Sequence, residues 1–168
     1  MISTIIIIIS IILDGILSNF LPYTIGNLSC FTPLLTLVSL FLIYPFYVKK
    51  TKKYYIVALI MGLIYDLLYT NLLFYNSILF LIIAILIKYL YKNFEVNYFN
   101  IILYIIVIIT SYETIQALII SSLQLVPITI SKLIYKTTHS LILNIIYTEI
   151  VYFIIQKLPK KYKKININ

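Results

Sequence analysis

Long apolar runs recur along the whole chain, and this pattern limits the fold more than any other feature. About 20 consecutive apolar residues cross a bilayer as one α-helix. Hydrophobic residues make up 62% of the 168 residues, well above the share in an ordinary soluble domain. The long runs occupy residues 2–22, 28–48, 54–72, 74–91, 99–124 and 135–156. The sequence therefore predicts an all-α, polytopic membrane bundle of about six transmembrane helices over residues 1–157, followed by a basic tail at residues 158–168.

The lysines predict how this bundle is oriented. The net charge is +8, which in a soluble protein would suggest nucleic acid binding, but here the lysines lie between the apolar runs. Eleven of the 13 lysines fall in residues 49–53, residues 88–98 and residues 157–168, which share one side of a six-span bundle. Because cytoplasmic loops carry excess lysine, both termini are predicted to be cytoplasmic. Membrane lipids are expected as partners and nucleic acid is not. An aromatic belt at the membrane interface is predicted for Tyr54, Tyr55, Tyr89 and Tyr91.

Residues 54–80 predict a transmembrane hairpin that contains a single carboxylate, Asp66. Ala58, Gly62, Asp66 and Thr70 follow one another at intervals of four and therefore share a helix face. A carboxylate within a membrane span costs about 3 kcal/mol or more, so Asp66 needs a partner or a task. It could cap or hydrogen-bond a neighbouring helix, take part in transport or proton handling, or help to dock a partner. Ala58 and Gly62 are predicted to form a helix-packing groove, with dimerisation as the alternative.

Two further acids, Asp14 and Glu113, are predicted to lie at a depth in the membrane similar to that of Asp66. With about 1.5 Å of rise per residue, the three acids lie roughly 17–21 Å from the cytoplasmic starts of their helices. Polar residues also recur at helical spacing from Thr110 to Gln124 and from Lys136 to Gln156, which predicts faces turned toward other helices. We therefore expect a buried polar cluster in the outer half of the membrane, in which Asp66 and Glu113 pair with a basic residue. Its predicted members are Asp14, Asp66, Glu113, Lys136 and His139.

Residues suited to catalysis are scarce. The chain has one His, one Cys and no Arg, and it lacks a metal-ligand pattern, a glycine-rich phosphate loop and an HExxH sequence. His139 is better explained as an interfacial or hydrogen-bonded residue than as a metal ligand. The sequence therefore predicts neither an enzyme nor a site for a metal or cofactor.

The hairpin carries a resemblance to a known family. Gly62, Asp66, Leu67 and Leu68 form a G-x-x-x-D-L-L sequence, a short polar turn follows, and Asn76 opens the next apolar run. This arrangement resembles the central signature of the rod shape-determining protein MreD family. One departure is the Phe74–Tyr75 pair, where the family often has a glycine. The matching motif covers residues 58–80, and the general layout covers most of the chain.

The resemblance implies a function without catalysis. MreD-like proteins belong to the cell-elongation machinery for peptidoglycan in the bacterial cytoplasmic membrane, where they act with MreC, MreB, RodA and a class B penicillin-binding transpeptidase. The chain would then be a scaffold or regulator that binds an MreC-like single-span protein. Its signature positions for partner docking would be Gly62, Asp66, Leu67, Leu68 and Asn76. The family's fold is similar to the substrate-binding subunits of energy-coupling-factor transporters. A small-molecule-binding subunit of such a transporter is therefore the alternative.

Overall fold

A computed structural model describes residues 2–20, 33–70, 72–95, 98–123 and 129–157 of the chain. Within these ranges all regular secondary structure is helical, which confirms the predicted all-α class for the part described. The helices are α1 (Ile2–Phe20), α2 (Leu35–Ile43), a 3₁₀ helix (Tyr44–Lys50), α3 (Thr51–Tyr69), α4 (Tyr75–Asn93), α5 (Tyr98–Ser122) and α6 (Ile130–Lys157). The start of the predicted second span, Gln124 and the basic tail lie outside the described residues.

Four of these helices are long and apolar enough to cross a membrane: α1, α4, α5 and α6. The predicted count of about six spans therefore stays a prediction. Every 18-residue stretch of α3 contains Lys52, Lys53 and Asp66, so this helix has a less continuous apolar character. The nine residues of α2 extend only about 13 Å, less than half of a typical hydrocarbon core.

The predicted second span is not one continuous α-helix. Pro33 lies before α2 rather than in its first turns. At the other end, Pro45 occupies one of the first positions of the 3₁₀ helix. Proline has no N–H to donate to an i−4 carbonyl, so the change from α to 3₁₀ geometry falls where the sequence removes that hydrogen bond.

The short helix α2 lies at the centre of the bundle. All nine of its residues are buried, and it contacts α1, α4, α5 and α6. Consecutive long helices pair as hairpins around it, α3 with α4 and α5 with α6. A nine-residue helix is too short to cross the hydrocarbon core, so the backbone groups at its ends need partners within the protein, and the surrounding helices supply acceptors for its first N–H groups.

Tyrosines fill the lysine-rich end of the bundle. Tyr54 is fully buried and its hydroxyl donates to the Leu40 carbonyl of α2 at 3.1 Å. The Tyr91 hydroxyl donates to the Phe41 carbonyl at 3.4 Å. Tyr89, in contrast, is exposed. The predicted interfacial belt is therefore wrong for Tyr54, which packs in the core because a backbone carbonyl of α2 satisfies its hydroxyl.

Candidate functional site

Gly62 allows α3 and α4 to approach each other closely. A Cβ atom at this position would lie 2.6 Å from the Asn76 carbonyl oxygen and 2.7 Å from the Ser77 nitrogen, and the Ser77 Cα would also be in contact. These atoms belong to the first turn of α4, so no side-chain rotation can relieve the contact. Only glycine fits here, and Ala58, one turn earlier on the same face, is fully buried.

Asp66 uses this proximity to cap the N-terminus of α4. Its fully buried carboxylate accepts the Asn76 backbone N–H, with both oxygens at 3.0 Å, and the Ser77 N–H at 3.3 Å. The first backbone N–H groups of a helix have no partner within the helix, and they carry partial positive charge. A carboxylate from the neighbouring helix therefore satisfies these donors, and the helix end stabilises the buried negative charge.

Side chains complete the coordination of Asp66. The Asn76 amide donates to Asp66 Oδ1 at 2.8 Å, and the Thr70 hydroxyl donates to the same oxygen at 3.0 Å. Asn76 in turn accepts a hydrogen bond from the Tyr112 hydroxyl of α5 at 2.7 Å. The signature positions Asp66 and Asn76 thus belong to one hydrogen-bonded network that joins α3, α4 and α5.

The residue before α4 has an unusual backbone. Phe74 has φ +67° and ψ −2°, which is the left-handed region, and it is the one non-glycine residue with positive φ in the described part of the chain. Its side chain is exposed, so burial of the ring does not offset this strain. Glycine adopts this left-handed conformation more readily than phenylalanine, because it has no Cβ.

Phe74→Gly is expected to raise the stability of the folded protein by about 0.5–1 kcal/mol, because glycine adopts positive φ without a Cβ clash. Thermal unfolding in detergent would measure the change. Phe94→Gly provides a matched control, since Phe94 is an exposed phenylalanine with an ordinary extended backbone at the opposite end of α4. Equal loss of stability in both variants would contradict the account of strain at Phe74.

The other two signature positions face outward. Leu67 and Leu68 are 62% and 60% exposed, although they directly follow the fully buried Asp66. Further exposed apolar side chains come from the turn and from the start of α4. Together they form a surface that we call the hairpin face: Leu67, Leu68, Leu72, Leu73, Phe74 and Ile78.

A second carboxylate cap holds α2. Asp14 accepts the Leu35 N–H through Oδ1 and the Thr36 N–H through Oδ2, both at 2.8 Å. Asn144 of α6 accepts the preceding N–H, that of Leu34, at 3.0 Å. The beginning of the central helix is therefore anchored to both α1 and α6, and its buried donors find partners in both neighbours.

Glu113 forms an ion pair with Lys136, as predicted, at 2.6 Å between Oε2 and Nζ. Lys136 also donates to the Gln116 side-chain oxygen at 3.0 Å. The rest of the predicted cluster stays a prediction, and the hydrogen bonds of Asp66 are those of a helix cap, which the sequence offered as one role for this residue. Asp66 bonds to the start of α4 and Asp14 to the start of α2, while the His139 ring lies 2.8 Å from the Tyr135 carbonyl of its own helix. Two of the three acids satisfy backbone donors because helix ends offer charge-stabilising N–H groups without a second buried charge.

A protein-family model matches nearly the whole chain. The model of the rod shape-determining protein MreD family matches residues 1–162. The chain belongs to the MreD family. This membership assigns it to rod-shape determination, and the four apolar helices fit an integral membrane protein. No curated protein and no solved structure shows a significant match to the chain.

MreD membership bears on the alternatives raised by the sequence. The family is a structural, shape-determining one, which agrees with a scaffold. The similarity to substrate-binding subunits of energy-coupling-factor transporters stays a prediction, and the comparisons give the transporter alternative no support. Among the described residues no group of three or more His, Cys, Asp or Glu side chains could hold a metal ion.

Within this MreD chain, sequence reasoning missed part of each cap. Ser77 and Tyr112 complete the Asp66 network, and neither stood out in an apolar run rich in tyrosine. Asn144 was recognisable as part of the polar stripe of α6, and Ser140, Asn144 and Thr148 are all buried. Its role at the start of α2 required the packing of α6 against α2, which spacing along one helix does not encode.

Proposed function

We propose that the protein is a membrane scaffold of the bacterial cell-elongation machinery that binds an MreC-like single-span protein through the hairpin face. In this proposal it lies in the cytoplasmic membrane with both termini in the cytoplasm. It would contribute to one complex with MreB, RodA and a class B penicillin-binding transpeptidase. Its task is to scaffold or regulate peptidoglycan synthesis, with no reaction of its own.

The proposal depends on one observation: some signature residues are buried between α3 and α4, whereas others are exposed on the surface. Gly62, Asp66 and Asn76 lie in the contact between α3 and α4, where Gly62 allows close approach and Asp66 is hydrogen-bonded to Asn76. Leu67 and Leu68 direct theirs outward. A surface that is rigid before binding loses little conformational entropy when a partner helix packs on it, and such packing is what drives association between membrane helices.

The charges support the proposed orientation. Lys49, Lys50, Lys52 and Lys53 lie at the end of the bundle where α3 begins, and Lys92 lies at the adjacent end of α4. Under the positive-inside rule this end is cytoplasmic. The hairpin face, at the other end of α3 and α4, would then lie in the outer half of the membrane, where it would meet the outer part of a partner's single helix.

Leu67→Trp combined with Leu68→Trp is expected to reduce recovery of the MreC-like protein at least about tenfold, because bulky indoles keep a partner helix from close contact. Both proteins would be co-expressed, and the tagged chain would be purified in mild detergent. The matched control is Ile146→Trp with Ile150→Trp on the exposed face of α6. Normal recovery with the hairpin-face variant, or equal loss with both variants, would refute the proposed docking surface.

A further inference from the structure

Lys88 lies within the apolar part of α4. It is half-buried and precedes the helix end at Asn93 by five residues, or about 7–8 Å along the axis. The described residues contain one ion pair, that of Lys136 with Glu113, so Lys88 has no carboxylate partner among them. A lysine inside a membrane span is costly unless its ammonium group reaches the interface or a counter-charge.

The surroundings of Lys88 turn it toward α3. Its ammonium nitrogen lies 5.8 Å from the centre of the Tyr55 ring, a distance at which the face of the ring attracts a cation weakly. Lys92 follows Lys88 by four residues on α4, and Lys52 precedes Tyr55 by three residues on α3. These spacings place each lysine on the same helix face as its neighbour. The edge between α3 and α4 therefore concentrates positive charge beside an aromatic ring.

We infer that this edge binds the headgroup of an anionic phospholipid. The phosphate would be held by Lys88 and Lys92, with Lys52 adding charge and the acyl chains lying against the exposed apolar surface of α4, which includes Ile82 and Ile85. Charge complementarity carries the assignment. These lysines have no acidic partner in the part of the chain that the structure describes, and lipid phosphates supply negative charge at the depth reached by a lysine near a helix end. Basic sites between membrane helices on the cytoplasmic side bind anionic headgroups in this way.

The test is native mass spectrometry of the full chain in mild detergent during titration with phosphatidylglycerol. Lys88→Gln with Lys92→Gln is expected to weaken binding of the first lipid by about 10- to 30-fold, because two contacts of a cation with an anionic headgroup are lost. Lys49→Gln with Lys50→Gln removes the same charge from the 3₁₀ helix, which packs on α2 and α3, and should change binding less than about threefold. Lys88→Arg with Lys92→Arg should retain binding.

The outcomes separate a defined site from general attraction. Equal weakening in both glutamine variants would overturn the inference in favour of diffuse surface charge, and so would equal binding of phosphatidylcholine. If inorganic phosphate, at the same concentration as the lipid, displaced the bound phosphatidylglycerol, the site would be one for free phosphate, and the inference would also be overturned. If the double variant unfolds, the exposed Lys92→Gln change alone must still weaken the first binding step, and unchanged binding would refute the proposal.

Discussion

Asp66→Ala is expected to lower the free energy of unfolding by about 3–5 kcal/mol, the largest effect anticipated for a single polar side chain here. The substitution leaves the backbone N–H groups of Asn76 and Ser77 and the side-chain amide of Asn76 without this acceptor. The Thr70 hydroxyl keeps two backbone carbonyls as acceptors, those of residues 66 and 72. Asn76 and Ser77 are buried, so water does not readily replace the hydrogen bonds that they lose. Unfolding by a denaturing detergent, monitored by circular dichroism, would measure the loss.

Asp14 and Ile78 supply the comparisons for this result. Asp14→Ala removes an acceptor from two backbone N–H groups, so its expected cost is smaller, about 2–3 kcal/mol. Ile78→Ala shortens an exposed side chain on the first turns of α4 and should cost less than about 1 kcal/mol. The same order, with Asp66 more sensitive than Asp14, is expected for the aspartate-to-asparagine variants. If Asp66→Ala lowered the free energy of unfolding no more than Ile78→Ala, the Asp66 cap would not stabilise the fold.

Gly62→Ala is expected to destabilise the protein by about 2–4 kcal/mol, because the added methyl group overlaps backbone atoms. The overlap involves Asn76 and Ser77, so the first turn of α4 must move away from α3 and from Asp66. The direction of this change distinguishes the contact from an ordinary helix effect, since glycine-to-alanine changes within helices ordinarily raise the free energy of unfolding by about 1 kcal/mol. The same detergent-unfolding measurement applies.

Gly15→Ala is the matched control for Gly62→Ala. A methyl group at Gly15 would meet the far end of the Tyr69 side chain, 2.6 Å from its hydroxyl oxygen, and a tyrosine can rotate away. The expected change is within about 1 kcal/mol, with the loss of the hydrogen bond from Tyr69 to the Ile11 carbonyl partly offset by helix propensity. Indistinguishable effects at the two glycines would contradict the close approach of α3 and α4.

A double-mutant cycle connects the two large predictions. Asp66→Ala and Gly62→Ala both act on the first turn of α4, so their combined cost should fall short of the sum by about 1 kcal/mol or more. Asp66→Ala and Gly15→Ala act at separate places and should add. Additivity in the first pair would mean that the glycine contact and the carboxylate cap stabilise the hairpin independently.

Some contacts of the buried acidic residues could be predicted from the sequence, and others could not. Spacing placed Gly62 and Asp66 on one face of a membrane helix, and the cost of a buried acid indicated that Asp66 must have a partner. It also placed Glu113 and Lys136 at similar depth, and the structure pairs them. The sequence also offered a cap on a neighbouring helix as one role for Asp66, and the structure shows such a cap. Spacing along one helix did not identify α4 as the capped helix, nor α2 as the partner of Asp14.

The sequence by itself determined the helical class and the membrane setting, because hydrophobicity and four-residue spacing are properties of each segment taken alone. It also carried the family signature. Only the tertiary structure decided which helix each acid caps, that the short α2 is central, and that Leu67 and Leu68 face outward. Spacing along one helix specifies depth and relative face. The rotation of that helix and the identity of its neighbour depend on packing among all the helices at once.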